Sequence, residues 1–392
     1  MKPTPEDPLD IAESFCLIEH LSIIPDPRVD RTKAHDLVDI LMIAVCALLC
    51  GAESFNDMEA FGEAKYEWFK TFLRLRNGIP SHDTFNRVFA TLDPQQFQNC
   101  FLRWTQTLRK AVAGEIVAMD GKALRRAMDK GKGIPYIVSA WSRENRLVLG
   151  QLKVSEKSNE ITAIPKLLRV LELKGCVVTI DAMGCQKKIA KEILRAKADY
   201  VLALKGNHET VHEEVKSFLD DTIQRDADRE ARGQSPVGKL DYYDTTERGH
   251  GRVETRRYWQ SEDLGWFADF DQWPGLRSVG VVESTREVQG EATTERRYFL
   301  ASLPLGVKRF AKAVREHWGV ENEVHWQLDV SFNEDQSRAR TGHAAENLAL
   351  LRRLALNLLK RETTKKRGIR GKQKIAGWDN RYLLRLLGVS LD

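Results

Sequence analysis

The chain lacks most of what would tie it to a secreted, membrane-bound or strongly ionic class. Its six cysteines, Cys16, Cys46, Cys50, Cys100, Cys176 and Cys185, form no Cys-x-x-Cys pair and fall mostly in apolar segments. That distribution argues for buried free thiols in a reducing compartment, not for disulfides or a thiolate-bound zinc. Long hydrophobic runs are missing too. The longest, Ile40 to Cys50, is far shorter than the roughly 20 residues a bilayer requires and reads as a buried helix. No basic-then-apolar leader opens the chain, so the expected location is the cytoplasm. There is also little excess of one charge: charged residues make up 30% of the chain, yet the formal net charge is only +5. Nucleic-acid binding therefore has to be argued from where charge lies. The 392 residues suffice for two domains, or one large domain with appendages, around a substantial core.

The first 112 residues read as entirely helical. Asp10 to Leu21 is followed by an extended Pro25-Asp26-Pro27-Arg28 and a strong helix from Leu37 to Cys50 that ends at Gly51. Asn56 to Gly62 and Lys65 to Leu75 come next, stopped by Asn77-Gly78-Ile79-Pro80. Ser81 is a good N-cap for His82 to Thr91, because its hydroxyl can accept an orphan amide hydrogen. Pro94 opens a last helix toward Ala111. The short helices between 55 and 90 suit either a helix-turn-helix-like unit presenting Ser81 to Phe89 to DNA or a purely structural module.

From residue 114 the pattern changes. Strands are expected at Ile116–Asp120, Ile137–Trp141 and Leu147–Val154, with turns at Lys130–Gly133 and Arg143–Asn145. A helix from Glu160 to Leu173, a strand from Val177 to Asp181, a helix from Cys185 to Ala196, a strand from Tyr200 to Leu204 and a helix from Glu209 to Leu219 follow. Three meandering strands and then strand–helix alternation predict an α/β fold, a mixed sheet flanked by helices in the ribonuclease H-like order. Residues 220 to about 240 are charged and read as a solvated linker. Strands return at Val253–Gln260, Leu276–Glu283 and Thr294–Ser302, around the loop Arg248-Gly249-His250-Gly251-Arg252. The expected organisation is a helical domain at 1–112, a catalytic domain at 113–340 with a β-rich insertion at about 223–305, and C-terminal helices with a basic tail at 341–392. Lys360 to Lys374 holds eight basic residues against one acid, a stretch suited equally to phosphate contact or to a solvated face.

Chemistry concentrates in three places. Glu115-Ile116-Val117-Ala118-Met119 reads as a buried central strand that delivers Asp120, with Gly121 and Lys122 behind it. Val177-Val178-Thr179-Ile180 delivers Asp181 in the same way. The third is a helix through Arg315-Glu316-His317-Trp318-Gly319-Val320-Glu321-Asn322 and His325-Trp326, with an apolar side expected from Val314, Trp318, Val324 and Leu328. On it His317, Glu321, His325 and Asp329 recur every four residues, roughly above one another. His317, Glu321 and His325 alone could hold a zinc ion from one helix face, but Asp120 and Asp181 would then need a separate explanation.

These motifs together resemble the ISAs1 (H-repeat-associated) group of DDE transposases, within the larger IS4-like set. Ile24 to Arg28 and Gly78 to Phe85 resemble the group's helical N-terminal part. Met119-Asp120-Gly121-Lys122, Ile180-Asp181-Ala182-Met183 with Gln186-Lys187, and His317 to Asn322 with His325 to Val330 resemble its three catalytic motifs, and Leu204-Lys205-Gly206-Asn207 resembles the group's sequence after the next strand. The wider set has a tyrosine and an arginine where this chain has Val314 and His317, so those roles do not transfer.

The resemblance implies that Asp120, Asp181 and Glu321 hold Mg2+, with Mn2+ as substitute. Carboxylates suit hard divalent ions, and two ions roughly 4 Å apart can serve both the attacking and the leaving oxygen of an in-line displacement at phosphorus. On this reading Asp120 bridges both ions, Asp181 binds one and Glu321 the other. The implied activity is nicking and strand transfer at insertion-sequence ends. The implied partners are double-stranded DNA (transposon ends and target) and further copies of the chain, a homodimer or higher oligomer, at the nucleoid. Lys122, Lys205, Arg252 and Arg315 are candidate phosphate contacts; His317, Asn322, His325 and Asp329 are candidates to support the acids. The rivals are a catalytically silent DNA-binding descendant and a nuclease without strand transfer.

Overall fold

The computed structural model describes residues 16–110, 112–127, 133–154, 160–249 and 251–388. Its elements, in chain order, are α1 (Cys16–Ser22), α2 (Leu37–Leu49), α3 (Phe55–Ala64), α4 (Tyr66–Phe69), α5 (His82–Thr91) and α6 (Pro94–Leu108). Then come β1 (Ile116–Ala123), β2 (Tyr136–Ser142), β3 (Leu147–Val154), α7 (Glu160–Val170), β4 (Val177–Ile180), α8 (Lys187–Arg195), β5 (Asp199–Leu204) and α9 (Glu209–Ala231). The remainder is β6 (Asp241–Gly249), β7 (Arg252–Ser261), β8 (Ser278–Val288), β9 (Glu291–Ala301), α10 (Val307–His317), α11 (Trp326–Val330), α12 (Ala344–Arg361), α13 (Ile369–Trp378) and α14 (Asn380–Leu387). The strands form one mixed nine-stranded sheet in the order β3-β2-β1-β4-β5-β9-β8-β7-β6. Its first five strands, an antiparallel β2–β3 pair and then parallel β1–β4–β5, have the ribonuclease H-like arrangement expected from the sequence.

The chain divides into two units. One comprises Met1–Ala111, Gly121–Asn159 and Glu321–Asp392. Within it α2 is buried along nearly its whole length, as its apolar run predicts, and each fully buried aliphatic side chain there contributes about 1.5–3 kcal/mol. Ser81 caps α5 by accepting from the Thr84 amide, and Asp93 caps α6 ahead of Pro94. Helix α12 is the common core piece, packing on α2, α5, α6 and β3. Three of its buried polar residues are fixed individually. Asn347 Nδ2 donates to the Phe89 and Leu92 carbonyls at 2.9 and 2.8 Å, and Asn357 Oδ1 accepts from the Val148 amide at 2.7 Å. Arg353 pairs with Glu334 at 3.0 Å, both side chains fully buried.

The other unit comprises Val112–Asp120 and Glu160–Val320. Its core packs Ile116, Val177, Val201, Phe299, Val307, Phe310 and Val314 together. Strands β6 to β9 continue the sheet as long antiparallel ribbons.

The structure corrects several local expectations. The charged stretch after Leu219 is no linker: α9 continues to Ala231, burying Val211, Val215, Leu219, Thr222 and Asp226 on one face. Asp226 then accepts from the Val237 and Gly238 amides at 2.9 and 3.0 Å, so a buried carboxylate anchors the descent into β6. Of Lys65–Leu75 only Tyr66–Phe69 is helical, and the chain then turns, with Leu75 at φ 44°. The helix expected from Val307 through Trp318 to about Val330 is broken: α10 stops at His317 and a π-turn spans Glu321–His325. The start of the first expected helix and most of the Lys130–Gly133 turn lie outside the described residues. Cys46, Cys100, Cys176 and Cys185 are buried thiols, and no helix among the described residues is long and apolar enough to cross a membrane.

Candidate metal centre

Strand register sets two of the acids side by side on neighbouring strands, but among the described residues the group whose ligand atoms lie within 4.8 Å of one another contains Asp120 and not Asp181. Strands β1 and β4 pair in parallel with Met119 opposite Ile180. The next residue on each strand is the aspartate, so Asp120 and Asp181 leave neighbouring strands at the same level, and adjacent strands lie about 4.8 Å apart. Apolar residues before each aspartate are buried, while both aspartates are half-buried. Asp181 also caps the short turn Ala182–Gly184, its Oδ1 accepting from the Gly184 amide at 3.3 Å. Beside it the Cys185 thiol is pushed up to about 12, by burial first and by the Asp181 charge second.

The third element reaches the same strand. Thr179 lies two residues before Asp181 and on the same side of β4, and its Oγ1 meets His317 Nδ1 at 3.0 Å. That contact fixes the end of α10. Val320 is then buried and Glu321 is exposed at the first position of the π-turn. One added residue per turn resets the helical phase, so the four-residue repeat from His317 to Asp329 does not run along one straight face. His325 is buried, with Nδ1 3.5 Å from Glu321 Oε2. Asp120, Glu321 and His325 each offer a ligand atom, all within 4.8 Å of one another. Two carboxylates and an imidazole fit a hard-to-borderline divalent cation. The His317–Glu321–His325 zinc face expected as an alternative is not formed: His317 points to Thr179 on β4.

The basic candidates separate. Lys205 is exposed just past β5. Arg252 pairs with Glu254 at 2.9 Å and Arg315 with Glu247 at 3.1 Å, all four partly exposed. Lys122 differs: its side chain is only 7% exposed and its Nζ lies 2.7 Å from both Asp329 Oδ1 and Asp335 Oδ1. A phosphate cannot reach it without displacing those partners, so it is withdrawn as a DNA contact. Asp329 has its carboxyl pushed up by burial against the pull of Lys122. Asn322 is exposed on the π-turn. Trp318, expected on the apolar side, is 42% exposed with the Arg297 guanidinium 4.6 Å from its ring centre. Sequence reasoning missed Glu334, Asp335 and Arg353 entirely. Asn333-Glu334-Asp335-Gln336 looks like an ordinary polar turn, and nothing in it signals a buried ion pair.

A ribonuclease H-like sheet with acids at matching levels of adjacent strands defines a class of enzymes that cleave and transfer nucleic-acid strands. Within that class the chain belongs to the DDE transposase family. Residues 111–358 match the family described as "Transposase DDE domain", and residues 18–105 match the one described as "DDE_Tnp_1-associated". The chain is 41% identical over 377 residues to the putative transposase YncI of Escherichia coli O157:H7, covering 95% of this chain and 94% of that one. It is 39% identical over 381 residues to the H repeat-associated putative transposase YhhI of Escherichia coli K12, covering 95% and 98%. A piggyBac transposase synaptic complex with hairpin DNA aligns over 98% of this chain and 81% of that chain, at 9% identity and a TM-score of 0.46, too slight a likeness to carry a conclusion. Membership of the family implies use of a divalent metal.

Proposed function

We propose that the protein nicks double-stranded DNA at the ends of an insertion sequence and joins the freed 3′ hydroxyl to target DNA. In this reading Asp120, Asp181 and Glu321 hold Mg2+ or Mn2+, and His325 completes the ligand set beside Glu321. The observation that carries it is the shared position of Asp120. By register it neighbours Asp181, and it also lies in the ligand cluster with Glu321 and His325. Bound cations would supply charge stabilisation and nucleophile activation at the scissile phosphate. The protein's part is to hold the carboxylates on adjacent strands and a braced turn, so that the cations they would bind stand where negative charge builds up. In the first step water attacks phosphorus and the P–O3′ bond breaks, leaving a 3′ hydroxyl and a 5′ phosphate; in the second that hydroxyl attacks a target phosphate, and the target's own P–O3′ bond breaks as the new ester forms, releasing the target 3′ oxygen as a hydroxyl. Action as a homodimer or higher oligomer on DNA, and nucleoid association, belong to the same proposal.

The test uses supercoiled DNA carrying the element's own ends, with Mg2+ or Mn2+. The wild-type protein should nick at those ends and join them to target. Asp181→Asn should abolish both steps, by 100-fold or more, while end binding in a gel-shift assay stays within about threefold. Strand transfer surviving in Asp181→Asn would overturn the assignment, and nicking without joining in the wild type would point to a plain nuclease.

A further inference from the structure

We infer that Lys122 is a positioning residue for the metal centre, a buried cation that fixes the segment following the π-turn against strand β1; the inference rests on the metal-dependent reading above. Asp120 and Lys122 are two residues apart on β1 and so leave the strand on the same side. The Lys122 ammonium contacts two carboxylates at 2.7 Å, Asp329 on α11 and Asp335 in the turn Glu334–Gln336, with Glu334 at 3.8 Å. Asp329 stands four residues beyond His325 and eight beyond Glu321. One cation therefore grips two successive pieces of the chain that follows the π-turn. Glu334 is held again from the opposite side by Arg353, which also donates to Ser139 Oγ on β2 at 3.1 Å.

Burial decides what this cluster does. Exposed pairs are screened by water and hold little. A buried pair is fixed in place because opening it strands uncompensated charge. Without Lys122, Asp335 keeps Arg125 at 3.2 Å and Glu334 keeps Arg353, but Asp329 loses its cation, and α11 would move away from β1 to rehydrate it. His325 and Glu321, on the turn just before α11, would follow. Supporting groups of this kind change metal affinity by about 10–100-fold in other sites when removed.

Direct Mn2+ binding, followed by the loss of the free-ion signal in electron paramagnetic resonance, tests this on the full chain without relying on activity. The wild type should bind Mn2+ and Asp120→Asn should not. Lys122→Met should weaken Mn2+ binding about tenfold or more, with DNA-end affinity and its salt dependence unchanged. Asp329→Asn should also weaken it, and the double variant should be no worse than Lys122→Met alone, because both act through one contact. Folded Lys122→Met that binds Mn2+ within twofold of wild type overturns the inference. So does a variant that keeps Mn2+ but loses DNA affinity and salt dependence, since that is the behaviour of a phosphate contact. If Lys122→Met does not fold, Asp329→Asn decides, because it leaves Lys122 paired with Asp335; unchanged Mn2+ affinity there is equally fatal. Asp120→Asn binding Mn2+ like the wild type would instead remove the metal reading itself.

Discussion

At the scale of single residues, each charge in this protein is defined by whether it is committed. Lys122 and Lys205 both follow strand-end motifs and look alike in sequence, but one is buried among acids and the other is exposed. Only the second is placed to meet a phosphate. Lys205→Ala should weaken binding to DNA ends to a similar degree for every sequence tested and lower the slope of log affinity against log salt by about one. Filter binding at several salt concentrations reads this directly, and an unchanged slope removes Lys205 from the interface. The placement of two candidate acids was legible at this scale. Asp120 and Asp181 each end an apolar run, and the Met119–Ile180 register then aligns them. The role of Lys122 was not legible, because its partners lie more than 200 residues away.

At the scale of elements, helix α10 is the piece that carries the chain toward Glu321, and its seat on the sheet is made by a missing side chain. Gly280 on β8 faces the Phe310 ring, and a Cβ added there would stand 2.5 Å from Phe310 Cζ. Phe310 is fully buried and also packs edge-on against Phe299 at 5.6 Å, so it has no room to retreat. Gly280→Ala should therefore cost about 1–3 kcal/mol of stability through overpacking, measurable as a lower urea midpoint with unchanged slope. A neutral result would mean that α10 slides freely on the sheet. The same helix shows where periodicity misleads. His317, Glu321, His325 and Asp329 keep a regular spacing in sequence, yet the π-turn at Glu321–His325 assigns them to different surroundings. Apolar spacing cannot report such an inserted residue, because Val320 and Val324 remain buried on either side of it.

At the scale of the whole molecule, helices from both ends of the chain share one core around α12, and the Arg353–Glu334 salt bridge is fully buried within it. Burial raises the Glu334 carboxyl, but Arg353, Lys122 and Arg352 more than reverse this and leave it below its ordinary 4.5. A carboxyl held down in the folded state contributes stability that is complete above 4.5 and fades as pH falls from there through the lowered value. Wild-type denaturant midpoints should accordingly drop below pH 4.5. Glu334→Gln should lose about 3–5 kcal/mol at neutral pH, because it strands Arg353, and should show a shallower acid limb. Equal acid limbs in the two proteins would show that Glu334 is not ionised in the fold.

The sequence by itself determined the order of strands and helices, the buried run of α2, the caps at Ser81 and Asp93, and the places of Asp120 and Asp181 after their apolar strand runs, since periodicity, capping chemistry and aspartates closing apolar runs are all local signals. Tertiary structure alone decided the full length of α9, whose buried face is hidden among charges, and the break at the π-turn. It alone decided which cations face outward. Those outcomes depend on desolvation and on partners distant in the chain, and a buried charge carries no mark in its own sequence neighbourhood of the opposite charge that will neutralise it.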